Sequence, residues 1–441
     1  MAEAIAAHLR AMGEDETRFP GPPTSRCWKW PDGQDRARVA RPGRRKRRPT
    51  VSITLVSVGL KKRVLIAHPV LGNSGGGNGV AAWVIEALRE RFELSLATLR
   101  PLEFEGINRS FGTSLREGDF RLHLAPQRYR TLHRIMPTQG ALLETCLTMR
   151  LAREIDRKER FDVLLGTQNE IDFGRRGIHY VHHPWVYLPR PEHEMRWFHY
   201  IPGVLNGYRE FCQRVARSDN AGLRRNVSLA NSGFIAERIR AVHGVDSTIL
   251  YPPVAGTFPD IPWENRTPGF VAVGRIHDYK RWDMAVAIVE EVRRRGHDIS
   301  LTLIGNSGDA ATSEQLAAMA AERPWFRMLN DLSRDELAAE VARHRYGIHT
   351  MKEEHFGMAP AEIQSAGCIV FVHNSGGPIE IVGGDPRLLF EDVRDAADKI
   401  ERVLKAPDEE ESLRRRVAAQ RGRFSAERFC SALREIVDTF Q

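Results

Sequence analysis

Short apolar runs alternate with amphipathic segments along the chain from residue 63 onward. The run RVLIAHPV at 63–70 is almost continuously apolar, which is typical of a strand buried on both faces of a parallel sheet. A glycine-rich segment and the helical pattern VAAWVIEALRERF follow it, and further strands are predicted at 93–99, 161–168 and 177–184. This order of strands and helices predicts a doubly wound α/β domain.

A second alternation begins beyond a Pro- and Gly-rich connector. Its first strand is predicted at 269–276 and the following helix at 282–296, where a glycine ends the pattern. Two long helical patterns, at 394–406 and 409–440, close the chain. The sequence therefore predicts an α/β protein with two Rossmann-like doubly wound domains that face each other across a cleft, and a C-terminal helix that crosses back.

The predicted organisation has five parts. They are a disordered basic N-terminal arm at 1–60, an N-terminal Rossmann-like domain at 61–251, an inter-domain connector at 252–268, a C-terminal Rossmann-like domain at 269–420, and a C-terminal helix at 421–441 that packs back toward the N-terminal domain. Ligands of such folds bind in clefts between domains and beyond the C-terminal ends of parallel strands. Candidate site residues are therefore expected in the loops that follow the predicted strands.

The net charge of +8 is concentrated in the first 60 residues. That segment has 12 Lys/Arg and 6 Asp/Glu, so it contributes +6 and the rest of the chain +2. A nucleic-acid-binding protein built on this arm is one alternative, but the near-neutral body argues against it and no nucleic-acid partner is expected. The arm is rich in Pro, Gly and Arg, so we expect disorder or a natural start of translation nearer Val51.

Two cations follow the predicted strand in GRIHDYKRWD, at 274–283. Arg275 and Lys280 would lie in a loop at a strand C-terminus, where a doubly wound domain binds anions. Arginine presents a planar fork to phosphate oxygens and lysine a point charge. The alternative is a pair of solvated loop cations.

Glycines join the first predicted strand to a helix in NSGGGNG, at 73–79. Gly76 and Gly77 would let backbone N–H groups approach a phosphate or a sugar at the helix N-terminus. The segment matches neither the GxGxxG dinucleotide fingerprint nor a Walker loop, so neither NAD nor ATP binding is predicted. The alternative is a flexible turn.

Two histidines end a predicted strand in YVHHPWVYLP, at 180–189. Either His182 or His183 could face the cleft, and the alternatives are a structural or a metal-binding histidine. A metal site is disfavoured because no Cys or carboxylate lies at zinc-ligand spacing.

Two carboxylates lie eight positions apart around the start of a short predicted helix in EEHFGMAPAEIQSAG, at 353–367. Glu354 would lie in the loop after a strand, and Glu362 in the first turn of the helix that Gly367 ends. Glu362 could accept hydrogen bonds from a ribose diol, and Glu354 could reach a sugar. The alternatives are a helix-dipole partner for Glu362 and a surface charge for Glu354.

The same helix would begin with free backbone amides. Those of Gly357, Met358 and Ala359 form its positive end, on which a diphosphate could rest.

Together these motifs resemble the retaining GT-B glycosyltransferases of the family 4 type. Glu354 and Glu362 match the Glu-x7-Glu element of that family, and Arg275 and Lys280 match its GR…K element. The segments HPVLGNSGGG, YVHHP and EEHFGMAPAEIQSAGCIVFVHNSGGPIEIVGG are similar to the mannosyltransferases that extend the lipid-linked N-glycan core. The resemblance extends from about residue 62 to the end of the chain.

The resemblance implies a role for each matched residue. The implied catalytic residues are Glu354, His182 and Lys280, and the implied donor-binding residues are Arg275, Lys280, Glu362, Gly357, Met358, Ala359, Gly76 and Gly77. Glu354 would contact the donor sugar and Glu362 the ribose, while Arg275 and Lys280 would hold the diphosphate. The N-terminal domain would bind the acceptor and the C-terminal domain the donor nucleotide.

The implied activity is a metal-independent hexosyltransferase reaction. It moves a hexose, with mannose favoured, from a nucleotide-diphosphate sugar to a hydroxyl of a lipid-linked or other glycan acceptor, with retention. No cofactor and no metal are expected. Five scattered cysteines fit a reducing cytoplasm, and no apolar run reaches the roughly 20 residues of a membrane-spanning helix. The expected location is cytoplasmic, and a lipid-linked acceptor would add peripheral contact at the cytoplasmic membrane face.

Two positions depart from the mannosyltransferase pattern. Asn78-Gly79 stands where these enzymes have a glycine followed by an acidic residue, and His183 replaces an aromatic residue. Both lie in the acceptor half, so the acceptor stays open while the donor half matches.

Other functions remain as alternatives. A nucleotide-sugar epimerase has a similar fold but needs an acid/base set that the sequence does not reveal. A sugar-nucleotide-binding protein without catalysis is disfavoured by the intact Glu354, Glu362, Arg275 and Lys280. The aromatic and Arg-containing stretch at 195–217 suits a membrane interface, or it is simply part of the core.

Overall fold

The computed structural model describes residues 61–135, 141–185, 201, 203–306 and 308–441. The predicted arm at 1–60 therefore lies outside the described residues, as does part of the stretch at 195–217. Within the described ranges, the helices are too short or too polar for any of them to cross a membrane.

Seven parallel strands form the first sheet, in the order β3-β2-β1-β4-β5-β6-β7. Their bounds are β1 Arg63–Ala67, β2 Glu93–Thr98, β3 Arg121–Leu124, β4 Val163–Gly166, β5 Ile178–Val181, β6 Val227–Ala230 and β7 Thr248–Ile249. Because neighbouring strands are parallel, their C-terminal ends meet at one edge of the sheet. The glycine-rich segment follows β1 and His182 follows β5, so both lie at that edge.

Helices cover both faces of the first sheet. In chain order they are α1 Gly76–Leu88, α2 Phe104–Phe111, α3 Gln127–Ile135, α4 Ala141–Glu159, α5 Val204–Ala216, α6 Asn220–Arg224 and α7 Gly233–His243. Val64 and Ile66 pack into one apolar core, and Leu65 and Ala67 pack into another. Successive side chains of a strand point to opposite faces, which explains why a strand buried on both sides has an unbroken apolar sequence.

Six parallel strands form the second sheet, in the order β10-β9-β8-β11-β12-β13. Their bounds are β8 Thr267–Val273, β9 Ser300–Ile304, β10 Phe326–Leu329, β11 His344–His349, β12 Ile369–His373 and β13 Leu389–Phe390. The central strands β8 and β11 end at the loops that contain Lys280 and Glu354. The two predicted motifs are thus brought to one edge by strand pairing.

Helices follow the strands of the second half, and most of them pack into one apolar core with this sheet. They are α8 Trp282–Arg294, α9 Ala310–Ala321, α10 Arg334–Ala342, α11 Met358–Ser365, α12 Pro378–Ile381, α13 Val393–Lys405, α14 Pro407–Ala419 and α15 Ala426–Thr439. Phe270, Trp282, Ile348, Phe371 and Ile400 are all buried in that core.

The last helix, α15, packs against the first sheet's helix α1. Phe429, Leu433 and Val437 are buried in the core that also contains Val80 and Ile85 of α1. The side chain of Arg434 donates a hydrogen bond of 2.6 Å to the Ala87 carbonyl oxygen. The chain therefore returns to its N-terminal half after the second sheet is complete.

Two predicted element boundaries were wrong. The helical pattern at 409–440 is two helices, because α14 ends at Ala419 and α15 begins at Ala426, and Gly422 between them has φ +78°. The glycine-rich segment at 73–79 is not wholly a loop, because α1 already begins at Gly76. Glycine ranks low as a helix former, so sequence propensity placed this start too late.

Candidate active site

The loop that holds Glu354 is fixed by close backbone contacts. It follows β11, and the loop after β12 packs directly on it. The Gly377 amide donates a hydrogen bond of 2.8 Å to the Glu354 carbonyl oxygen. A Cβ atom on Gly376 would lie 2.4 Å from that oxygen, so this position excludes a side chain. The backbone at Glu354 is therefore held rigidly by the next strand's loop.

Lys280 and Glu354 form an ion pair. Lys280 Nζ lies 2.5 Å from Glu354 Oε2, and the side chains are 14% and 18% exposed. Burial would raise the pKa of Glu354, but the charge of Lys280 and the nearby His349 ring outweigh it and hold that pKa well below its usual value. The Thr350 hydroxyl donates to the Lys280 carbonyl oxygen at 2.8 Å and so fixes the lysine's turn. The two implied catalytic groups are thus in contact, and Glu354 is ionised.

His349 completes this cluster, although no sequence motif singled it out. Its Nε2 lies 3.6 Å from Glu354 Oε2, which is longer than a hydrogen bond. The residue is 2% exposed, and Nε2 has no hydrogen-bond partner among the described residues. Its position at the end of β11, just before the loop of Glu354, was the one available signal.

The helix α11 begins at the loop that contains Glu354. Gly357 caps it with φ +100°, and Met358 and Ala359 are its first residues. The first N–H groups of a helix have no partner within that helix, so the amides of Met358 and Ala359 are available to an anion. Glu362 was predicted in the first turn, but it lies in the second, because α11 begins at Met358.

Glu362 is paired with Arg334, a residue that no sequence motif singled out. Arg334 Nη1 donates a hydrogen bond of 2.7 Å to Glu362 Oε1, and Glu362 is 8% exposed. Its Oε2 accepts no hydrogen bond from the described part of the chain. One carboxylate oxygen is therefore anchored and the other is available. Arg334 begins the distant helix α10, and nothing in its sequence context marked it.

The glycines at the start of α1 lie close to the helix start of α11 and to His182. A Cβ atom on Gly76 would lie 3.6 Å from Met358 Cγ, and one on Gly77 would lie 3.5 Å from His182 Nε2. Helix starts from both halves of the chain are therefore adjacent, and no side chain stands between the Gly77 backbone and the histidine.

His182 is held as a neutral ring. Its Nε2 lies 3.1 Å from the Thr167 carbonyl oxygen, so this nitrogen carries the hydrogen. Burial lowers the pKa of His182 to about 4, although the hydrogen bond to Thr167 opposes the shift. The ring nitrogen Nδ1 is then unprotonated and can accept a hydrogen bond.

Asn78, one of the two departures from the mannosyltransferase pattern, has structural partners. Its Oδ1 lies 2.9 Å from His68 Nε2, and its Nδ2 donates to the Ser74 carbonyl oxygen at 2.7 Å. Burial lowers the pKa of His68 to about 4, and the bond to Asn78 opposes that shift. Asn78 therefore fixes the glycine-rich segment.

His183, the other departure, contacts the second half of the chain. It stacks on His355 with ring centroids 4.4 Å apart, and Arg238 Nη1 donates to its Nε2 at 2.9 Å. Arg238 Nη2 also lies 3.2 Å from Glu353 Oε1, beside Glu354. The substituted position thus helps to hold the loop of Glu354 against the N-terminal half.

A second contact between the halves lies at the start of α7. Glu380 Oε1 accepts a hydrogen bond of 3.0 Å from the Phe234 amide, and Glu380 Oε2 accepts one of 2.9 Å from the Tyr251 hydroxyl. Ser232 Oγ donates to the His355 carbonyl oxygen at 2.6 Å. These contacts hold loops at the C-terminal ends of the first sheet's strands against loops at the C-terminal ends of the second sheet's strands.

Arg275 is the predicted residue that the structure does not join to the cluster. Its side chain is exposed and makes no hydrogen bond or ion pair within the described ranges. It follows β8 directly, as predicted, while its backbone carbonyl accepts from Trp282 Nε1 at 3.1 Å. Its guanidinium is therefore available to a ligand.

The candidate site thus consists of two groups that meet near Met358. Gly76, Gly77 and His182 belong to the first half, and Lys280, Glu354, Gly357, Met358, Ala359 and Glu362 to the second. The described residues include no group of three or more His, Cys, Asp or Glu side chains that could hold a metal ion. The chemistry available is that of helix amides, one lysine, one free arginine and two carboxylates.

A protein-family model matches a segment of the C-terminal half. Residues 257–420 match the family model described as Glycosyl transferases group 1. This segment contains Arg275, Lys280, Glu354 and Glu362.

Curated relatives match about half of the chain. The GDP-Man:Man(3)GlcNAc(2)-PP-Dol alpha-1,2-mannosyltransferase of Mus musculus is 30% identical over 230 residues, which cover 46% of this chain and 46% of that protein. The Homo sapiens enzyme of the same name is 29% identical over 228 residues and covers the same shares, 46% and 46%. The chain therefore spans about half the length of the curated relatives it matches, and its resemblance to these mannosyltransferases is confirmed.

Solved structures match over most of the chain at low sequence identity. The Anabaena protein HepE in complex with UDP and glucose superimposes with a TM-score of 0.58 at 14% identity and covers 86% of this chain and 100% of that one. WaaG, a glycosyltransferase involved in lipopolysaccharide biosynthesis, gives a TM-score of 0.57 at 12% identity and covers 86% and 99%. The predicted fold is confirmed: the chain has the two-domain, Rossmann-like GT-B fold.

Proposed function

We propose that this protein is a metal-independent mannosyltransferase that moves the sugar of GDP-mannose to a hydroxyl group of a lipid-linked glycan, with retention of configuration. The observation that supports it most is the ion pair of Lys280 and Glu354, 2.5 Å long, at the loop that begins α11. A cation, a carboxylate and the free amides of a helix start lie together there. This is a set of groups that can bind a diphosphate sugar and stabilise both partial charges of its cleavage.

Lys280, Arg275 and the amides of Met358 and Ala359 would stabilise the leaving diphosphate. The bond between the anomeric carbon and the β-phosphate oxygen breaks, and negative charge grows on that oxygen. Positive groups held in place before the reaction stabilise this charge without reorganisation, as a bound metal ion does in other transferases. Arg275 is suited to the task because its guanidinium has no other partner in the described residues.

Glu354 would stabilise the sugar. Although burial opposes it, the charge of Lys280 and the His349 ring hold the pKa of Glu354 well below its usual value, so the carboxylate is negative at neutral pH. A negative charge beside the anomeric carbon stabilises the oxocarbenium-like state that forms as the leaving group departs. The acceptor hydroxyl oxygen then forms the new bond to that carbon, and its proton passes to the oxygen of the departing diphosphate.

Glu362 would bind the ribose of the donor nucleotide. Arg334 anchors Oε1 and leaves Oε2 available, so the carboxylate is oriented before the ligand arrives. A preoriented acceptor for a diol loses less entropy on binding than a mobile one.

The identity of both substrates rests on the relatives. Their names give GDP-Man as the donor and a PP-Dol-linked glycan as the acceptor. We extend both to this chain because the residues that would hold the donor lie in the matched family segment. Peripheral contact with the cytoplasmic face of a membrane follows from a lipid-linked acceptor, and Val204 and Phe211 on α5 offer exposed apolar side chains for it.

A transfer assay tests this function directly. Purified protein, without added divalent metal and with EDTA, is given GDP-mannose or UDP-glucose together with a lipid-diphosphate-linked oligosaccharide. Mannosyl product from GDP-mannose alone, lost in Glu354→Gln, is the expected result. Interconversion of the free sugar nucleotide without transfer would indicate an epimerase, and nucleotide binding without either reaction would indicate a binding protein.

A further inference from the structure

His349 has no assigned role, although it lies beside the reacting groups. It ends β11, in the centre of the second sheet, and is 2% exposed. Its Nε2 points at Glu354 Oε2 from 3.6 Å and makes no hydrogen bond to any described residue. A buried polar atom without a partner costs free energy, so its retention calls for an explanation.

Binding of the donor would make Glu354 and the diphosphate compete for the same lysine. Lys280 occupies Glu354 Oε2 at 2.5 Å, yet the proposed function requires the same ammonium to bind the diphosphate. A diphosphate has at least two negative charges, so it competes strongly for this lysine. When Lys280 turns to it, Glu354 loses its hydrogen-bond donor while remaining mostly buried.

His349 is the group placed to donate a hydrogen bond to Glu354 in place of Lys280. Its Nε2 needs to approach Glu354 Oε2 by less than 1 Å to reach the hydrogen-bond distance of about 2.8 Å. The charged groups that act on the ring are Glu354, which favours its protonated form, and Lys280, which opposes it. Movement of Lys280 toward a phosphate therefore strengthens the attraction between the ring and the carboxylate.

We propose that His349 is a positioning residue that forms a hydrogen bond to the carboxylate of Glu354 when Lys280 moves to the diphosphate of the sugar donor. This inference rests on the proposed function, since it names the partner that Glu354 has during the reaction. The exchange keeps the carboxylate aimed at the anomeric carbon at the moment when its charge is needed.

Matched substitutions separate positioning from mere packing. His349→Gln keeps a side-chain N–H near the position of Nε2, whereas His349→Leu fills similar space without a donor. For GDP-mannose, His349→Leu should lower kcat by about tenfold to a hundredfold, and His349→Gln should restore most of the loss. GDP affinity should stay within about twofold in both variants, because His349 does not touch the nucleotide. Equal turnover of His349→Leu and wild type, or equal losses in both variants, would overturn the proposal.

A spectroscopic experiment tests the same exchange and requires no transfer activity. In protein labelled with ¹⁵N-histidine, the His349 signals are assigned by their loss in His349→Gln. Lys280→Met removes the competing ammonium, so it should move the Nε2 resonance and raise the ring's apparent pKa; added GDP should do the same in the wild type. An unchanged His349 resonance in Lys280→Met would overturn the exchange. A response to Lys280→Met with none to GDP would support the His349–Glu354 contact and count instead against the proposed nucleotide site.

Discussion

Lys280 Nζ and Glu354 Oε2 lie 2.5 Å apart, and the pair links the loop after β8 to the loop after β11. Both side chains are largely buried, so solvent screens the pair less than an exposed one. The two residues are 74 positions apart in the chain, and only the pairing of β8 with β11 brings them together. The central implication is that one buried pair serves both the leaving group and the sugar.

Removal of Lys280 should lower stability, and removal of the Glu354 charge as well should restore stability without restoring function. Lys280→Met leaves a mostly buried carboxylate without its cation, so we expect the free energy of unfolding to fall by about 3 kcal/mol in urea titrations. The double variant Lys280→Met/Glu354→Gln removes both charges and should recover much of that loss. Donor affinity and kcat should stay low in both variants, because the leaving diphosphate still lacks its cation. Wild-type kinetics in Lys280→Met would mean that the lysine has only a structural role.

Arg334 should support nucleotide binding without touching the nucleotide. Arg334→Met releases Glu362 Oε1, so we expect GDP to bind several-fold more weakly in calorimetry, with a smaller effect than that of Glu362→Gln. Arg343→Met is the matched control at the opposite end of the same helix, because Arg343 pairs with Glu340 at 3.4 Å and is 65% exposed. Equal GDP affinities in the two arginine variants would show that Glu362 does not depend on its anchor.

Most of the fold could be predicted from the sequence because parallel strands buried on both faces have continuous apolar runs. The edge strand β3 was not predicted, since Leu122 and Leu124 are exposed and its RLHL pattern does not differ from that of a surface segment. The split between α14 and α15 was missed because charged helical patterns continue on both sides of Gly422.

Some residues of the candidate site were predicted from the sequence and others were not, and this difference has a physical cause. Glu354, Glu362, Arg275 and Lys280 were found because each follows a predicted strand at a motif spacing. His349 and Arg334 could not be found in that way, because their roles arise from contacts between elements far apart in the chain. The assigned roles themselves stay predictions that the substitutions described here test.

Exposed apolar residues of α5 offer a test of membrane contact. Val204 is 41% and Phe211 39% exposed, and both belong to the stretch at 195–217, of which residues 195–200 and 202 lie outside the described residues. The double variant Val204→Asp/Phe211→Asp should reduce flotation with anionic liposomes, because buried apolar area contributes to interfacial binding. Ile249→Asp is the control, since Ile249 is 43% exposed but lies on β7. Unchanged flotation of the double variant would exclude this surface as the membrane contact.

Lowering the pH should destabilise the protein at pH values well above those at which carboxylates titrate. Burial lowers the pKa of His68 and His182 to about 4 and that of His179 to about 3. In the unfolded chain these rings bind protons near pH 6.5, so the unfolded state takes up more protons as the pH falls from 7 to 5. The free energy of unfolding should therefore drop by about 2 kcal/mol per histidine across that range. Urea titrations at the two pH values measure it, and constant or rising stability toward pH 5 would contradict the buried, neutral state of these rings.

The most direct test of the central claim compares the two glutamates with one ligand pair. Glu362→Gln should weaken both GDP and GDP-mannose by about tenfold or more, because it removes the charge from the ribose contact. Glu354→Gln should leave GDP binding nearly unchanged and lower kcat, because its carboxylate acts on the sugar as positive charge develops. Calorimetry with GDP beside turnover at saturating GDP-mannose gives both quantities. If Glu354→Gln instead weakens GDP as much as Glu362→Gln does while kcat holds, the proposed division between sugar and ribose is contradicted.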